Sequence, residues 1–213
     1  ADELVLIKAP KIAVLKSDNT SSYRYGEVWH FFEQQLEYPL IQINENRLQR
    51  MLSEIDVLII PGGRYQKWSN SNSQEKITEW ILKGGKIIAL SSALNLFANT
   101  DSFALKKKEN PTQDTTSIPF SELERNKISE ITTGSIFNAS IDRSHSLAFG
   151  VNRYYTLKLD ADAYELLEDQ GNAFSLNSEA ESVAGFIGHL AQTNQKKSLL
   201  FGEERFGRGS LVY

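Results

Sequence analysis

The chain has 213 residues, 40% hydrophobic and 23% charged, enough for one sizeable core, and it reads as a single domain. Its formal net charge of −4 comes without any dense lysine or arginine face, which argues against nucleic acid because phosphate binding needs clustered cations. There is no cysteine, hence no disulfide and no thiolate; no apolar run approaches the ~20 residues that span a bilayer, and the chain opens without a basic-then-apolar secretion signal.

Residues 1–10 read as a linker leading in from an upstream domain, with the folded domain over 11–213. Lys11 to Leu15 is a short continuous apolar run followed by the polar turn residues Ser17 to Ser22, the pattern of a strand buried on both faces. Val28, Phe31, Phe32 and Leu36 then recur at helical spacing until Tyr38-Pro39 stops the helix. Leu40 to Ile43 predicts a second strand, Arg47 to Leu52 a short helix, and Ile55 to Ile60 a third strand ending at Pro61-Gly62-Gly63. Ile77, Trp80, Ile81 and Leu82 mark the next helix, closed by Gly84-Gly85, and Lys86 to Leu90 is a fourth strand. From there to Ala98 the residues read as a buried strand turning sharply into a helix, a turn that presents a side chain for nucleophilic chemistry.

Strands alternating with amphipathic helices imply right-handed βαβ units and a parallel sheet covered on both sides. The expected class is α/β, a three-layer, doubly wound, mostly parallel sheet. Ligands of such sheets sit beyond the carboxyl ends of the strands, which directs attention to Ser17 to Arg24, Pro61 to Lys67 and Ser91 to Ala93.

The second half loses the alternation. Lys106-Lys107-Lys108 reads as a solvated helix end, Asn110 to Ser117 as a polar loop and Ser121 to Ser129 as a helix. Ser135 to Ile141, Tyr154 to Leu159, Ala173 to Leu176, Ser198 to Phe206 and Ser210 to Tyr213 read as additional strands, with a helix near Val183 to Leu190. Both ends read as cut from a longer polypeptide.

These residues carry a resemblance. Lys11 to Leu15, the segment Ser22 to Leu36 with its Tyr-x-Tyr-Gly-Glu-Val-Trp-His-Phe-Phe-Glu core, Val57 to Tyr65, the bend at Gly84 to Ala98 and Asp142 to Gly150 are similar to a known domain. It is the class I glutamine amidotransferase-like (flavodoxin-like) domain appended after the catalytic domain of large bacterial zinc carboxypeptidases. Ser182 to Ile187 and Gly207 to Tyr213 extend the likeness more weakly, so it covers nearly the whole chain.

Carried over residue by residue, the resemblance places the Gly-x-Cys-x-Gly elbow of active superfamily members on Ala89-Leu90-Ser91-Ser92-Ala93, with Ser91 at the nucleophile position. A serine there needs an adjacent base, whereas a thiolate forms readily near neutral pH, and Ala93 lacks the freedom of the glycine it replaces. Gly62 and Gly63, with Ser92, resemble the oxyanion-hole loop; a tight turn beside the sheet end explains the glycines equally well. Glu27 sits near where the superfamily's smaller hydrolases carry an acidic partner of the nucleophile, or is simply favoured at a helix N-terminus. His145 lies in a segment resembling a family signature with proline where Ser146 stands, and reads first as a structural hydrogen-bonding residue. His30 reads as half-buried packing and His189 as suited to the negative pole of a helix end. Tyr23, Tyr25, Tyr65 and Trp68, with Trp29, flank the site loops either as a recognition surface for a peptide, a glycan or the neighbouring catalytic domain, or as core and shielding.

The elbow therefore reads as a catalytic fold whose chemistry has been removed. The expected function is a non-catalytic accessory or interaction domain whose partner is the upstream peptidase domain. A serine hydrolase using Ser91 with His145 and Glu27, and a small-molecule-binding domain, are the alternatives. No metal site is visible here and zinc is expected only upstream; cysteine usage leaves the compartment open, while the resemblance points outside the cytoplasm.

Overall fold

The computed structural model describes residues 8–65, 71–109, 119–168 and 171–213. The chain divides into two compact units, 1–97 with 205–213 and 98–204.

The first unit is built on five parallel strands in the order β2-β1-β3-β4-β11: β1 (Ile12–Leu15), β2 (Ile41–Ile43), β3 (Val57–Ile60), β4 (Lys86–Ala89) and β11 (Gly209–Val212). Ala13 lies opposite Ile41 and Leu58, and Ile88 opposite Ile59 and Val212. Ala13, Val14 and Leu15 are consecutive and all fully buried, so β1 is covered on both faces, as its unbroken apolar run requires. Val14, Val28 and Ile59 form one cluster, joined by Phe32, Leu40 and Leu90, each such side chain contributing about 2 kcal/mol by leaving water.

Helix α1 (Ser22–Trp29) continues into a π-helical segment, His30–Gln35, so the periodic run holds its predicted length but the last turns widen. Leu36 N–H donates to Phe31 C=O, and Glu37 ends the helix at φ 51°. The connection after β2 is the short helix α2 (Leu48–Met51) between two 3₁₀ turns. Helix α3 (Ser71–Leu82) is closed as its glycines predict: Gly84 takes φ 118°, and the N–H groups of Gly84 and Gly85 return to Ile81 and Trp80.

The second unit holds α4 (Phe120–Ser129), then strands β5 (Thr132–Asn138), β6 (Ser140–Ile141), β7 (Tyr155–Lys158), β8 (Asn172–Leu176) and β9 (Ser182–Ile187), then helix α5 (His189–Gln195) and most of β10 (Ser198–Phe206). All its strand pairings are antiparallel: β5 lies between β7 and β9, and β8 between β6 and β10. The molecule is thus α/β, with a parallel sheet in its first unit and antiparallel sheets in its second.

Three expectations are corrected. The run Val183 to Leu190 mimics helical spacing, but Ser182–Ile187 is a strand and the helix begins only at His189. Val183, Phe186 and Ile187 suit a strand, and Gly185, at φ 83°, lets β9 approach so closely that a Cβ there would lie 2.1 Å from the Gly134 carbonyl oxygen. Ser135 to Ile141 is not one strand, because the chain leaves β5 at Ala139 to pair with β8. Lys106 to Lys108 is no helix end: Lys107 pairs with Asp162 at 2.6 Å, and the Lys108 ammonium donates to the carbonyls of Asn194 and Lys196, capping α5. Burial lowers the Lys108 pKa, an effect opposed in part by Glu165.

Candidate functional site

Each of β1, β3 and β4 delivers a loop at its carboxyl end, and the three loops meet around a cleft of about 500 Å³. Asn19, Thr20, Ser21 and Arg24 come from the first, Gly62, Gly63 and Arg64 from the second, and Ser91, Ser92 and Asn95 from the third. The first two loops are laced together by backbone: Ser21 N–H donates to Gly62 C=O at 2.9 Å and Arg64 N–H to Asn19 C=O at 2.8 Å. Glu45 braces the first loop through the Ser17 hydroxyl at 3.0 Å and the Asn19 amide at 3.3 Å.

The third loop departs from the expected strand–turn–helix. Ser91–Leu96 is a 3₁₀ helix, in which a period of three sets Ser92 and Asn95 toward the cleft and buries Leu94 and Phe97. Ser91 sits at φ 55°, a strained conformation for a residue with a Cβ and the kind of bend that projects a nucleophile. The positive φ falls on Ser91 itself, not on Ala93, which is fully buried. Ser91→Gly is expected to relieve this strain and raise stability by up to about 1 kcal/mol in thermal unfolding; a lowered melting temperature would refute it.

Among the described residues the Ser91 hydroxyl makes no hydrogen bond. Glu27 is engaged elsewhere, both carboxylate oxygens accepting from Arg24 Nη1 at 3.1 and 3.2 Å. The His145 Nδ1 accepts from Leu147 N–H at 3.2 Å, capping the short 3₁₀ turn Ser146–Ala148 in the second unit. His30 is exposed and accepts from Gln35 at 3.5 Å, and His189 opens α5, at the positive rather than the negative pole of that helix. Asp142, beside His145, is held below the usual carboxylate range by the Ser144 hydroxyl and N–H.

The oxyanion-like loop is present but occupied. Gly63 N–H donates to Ser92 Oγ at 3.0 Å, and the same hydroxyl lies 3.3 Å from Gly63 C=O, so the donor that would face a developing oxyanion is already bonded within the protein. Sequence reasoning groups Gly63 and Ser92 in one oxyanion-like loop, but nothing in their spacing shows that each satisfies the other.

The aromatic residues disperse. Tyr23 is 86% exposed, Trp29 is at the surface rather than in the core, and Tyr25 is half-buried beneath the Lys16 ammonium. Tyr65 is buried: its hydroxyl donates to Pro61 C=O at 2.6 Å and lies 3.2 Å from Thr20 Oγ1, and burial pushes its pKa up to about 12. It braces the site loops and does not offer a surface. Trp68 lies outside the described residues. Arg24 and Arg64 were not singled out from sequence, although each stands in a predicted site loop and together they give the cleft its charge. Among the described residues there is no group of three or more side chains able to hold a metal, and no helix long and apolar enough to cross a membrane.

No family model and no curated protein sequence matches the chain. Solved structures do resemble it. A ThuA-like protein from Parabacteroides merdae matches with a TM-score of 0.54 and 12% identity, over 96% of this chain and 78% of that one. Gan42B, a GH42 beta-galactosidase from G. stearothermophilus, matches with a TM-score of 0.50 and 12% identity, over 97% of this chain. The chain spans only 27% of that galactosidase's length. At such identities what is shared is the α/β fold.

Proposed function

We propose that this chain is a non-catalytic, glutamine amidotransferase-like module that keeps the cleft of a catalytic fold and recognises a ligand there without converting it. The observation that carries this reading is the bond between Ser92 Oγ and the Gly63 N–H, which withdraws an oxyanion donor, beside a Ser91 hydroxyl that no imidazole or carboxylate reaches among the described residues. An unactivated serine without an oxyanion site lacks both the base and the electrostatic stabilisation that acyl transfer needs. The fold shared with the ThuA-like neighbour over 96% of this chain supports the finer reading of the first unit as a doubly wound, three-layer sheet. The resemblance over Tyr23 to Glu33 supports a setting as an accessory domain of a zinc carboxypeptidase, packing against or positioning substrate for an upstream catalytic domain.

The test is turnover. Purified protein offered glutamine, aryl esters and peptide amides is expected to release no product above buffer, equally for the parent and for Ser91→Ala. Hydrolysis abolished by Ser91→Ala would overturn the reading. The gene's reading frame tests the setting separately: an upstream domain with zinc ligands is expected, and a free-standing reading frame would remove its basis.

A further inference from the structure

We infer that the cleft beside Ser91 binds a small oxyanion that also bears hydroxyl groups, the class of acid sugars and sugar phosphates; the inference rests on the reading of recognition without turnover. Among the described residues the lining carries two guanidinium groups, Arg24 and Arg64, and not one carboxylate, in a protein whose net charge is −4. Among the described residues no large apolar side chain lines it. The Arg24 guanidinium is aimed by Glu27, which takes Nη1 and leaves Nε and Nη2, while Arg64 has no ion pair among the described residues. Planar guanidinium groups match carboxylate and phosphate oxygens with paired hydrogen bonds.

The remaining lining sets the rest of the ligand. Ser21 and Ser91 supply hydroxyls that both donate and accept, the complement of a polyol rather than of a hydrocarbon, while the Thr20 hydroxyl is taken up by Ser17 and Tyr65. About 500 Å³ is within the range of small-molecule sites and suits one sugar unit. A second cavity of this unit differs from it in chemistry. At about 460 Å³ it mixes Asp56 and Glu79 with Lys76 and Lys83 around Leu52 and Trp80, so it has no preference for one sign of charge.

Calorimetric titration at low salt with glucuronate, glucose 6-phosphate and neutral glucose tests this. Glucuronate or glucose 6-phosphate is expected to bind, and which of them binds more tightly separates carboxylate from phosphate as the anionic group. Glucose is expected not to bind, Arg64→Gln and Arg24→Gln to weaken the anion at least tenfold with unchanged melting temperature, and Lys83→Gln in the other cavity to leave it unaltered. Equal binding of glucose, no heat with either anion, or full affinity in Arg64→Gln would overturn the inference. If the anions fail to bind and no substrate is hydrolysed, the inference falls and the non-catalytic reading stands; turnover lost in Ser91→Ala sinks that reading whatever binds.

Discussion

Gly63→Ala should cost about 2–3 kcal/mol and abolish ligand binding in the cleft. A Cβ at Gly63 would stand 2.4 Å from the Asn19 carbonyl oxygen and 2.7 Å from the Tyr65 ring. Neither neighbour can give way cheaply: that oxygen already accepts the Arg64 N–H, and Tyr65 is buried with its hydroxyl tied to Pro61. Overpacking of this kind typically costs 1–3 kcal/mol, and here the displaced atoms are the walls of the site itself. Urea unfolding followed by tryptophan fluorescence reports the loss directly, because Trp29, Trp68 and Trp80 all precede Phe97. An unchanged midpoint would show that the two loops are not held as closely as described.

The second large effect belongs to the other unit. Phe137 is fully buried in β5, in a cluster with Leu176 and Ala180 against which Ile187 and Leu200 pack. Phe137→Ala removes a ring from a close-packed core and should destabilise by about 3–5 kcal/mol. Far-UV circular dichroism in denaturant should show the shift. Comparing it with tryptophan emission, which reports the first unit, asks whether the two units unfold in one transition or two, a point that must be measured before a single free energy is quoted. A shift under 1 kcal/mol would contradict the burial of Phe137.

Strands β1, β3 and β4 were legible in the sequence because each is an unbroken apolar run bounded by turn residues, the signature of strands buried on both faces, whereas β2, with Gln42 exposed between Ile41 and Ile43, alternates as an edge strand does. The site loops were legible for a topological reason: in a parallel sheet the carboxyl ends of the strands converge whatever residues follow them. The β9 strand was not legible, since Val183, Phe186, Ile187 and Leu190 satisfy a helical spacing as well as a strand, and only pairing with β5 across Gly134 and Gly185 decides between them. The lock on Gly63 was hidden for a different reason. It depends on a hydroxyl and an amide 29 residues apart in sequence, brought within 3.0 Å by the sheet. The contact of the Tyr65 hydroxyl with Thr20 and the cap that Lys108 places on α5 are likewise long-range outcomes, invisible to local pattern.

Strand β11 joins β4 in parallel register, Leu211 opposite Ile87, although the entire second unit intervenes in the chain between them. During synthesis on the ribosome, β4 therefore emerges with one flank bare and waits for the second unit to be made before its neighbour arrives. Closing so long a loop is slow, and an unpaired hydrophobic flank invites pairing with other nascent chains in the interval. Substitutions that delay folding of residues 98–204 would be felt first as aggregation of the parallel sheet that brackets them.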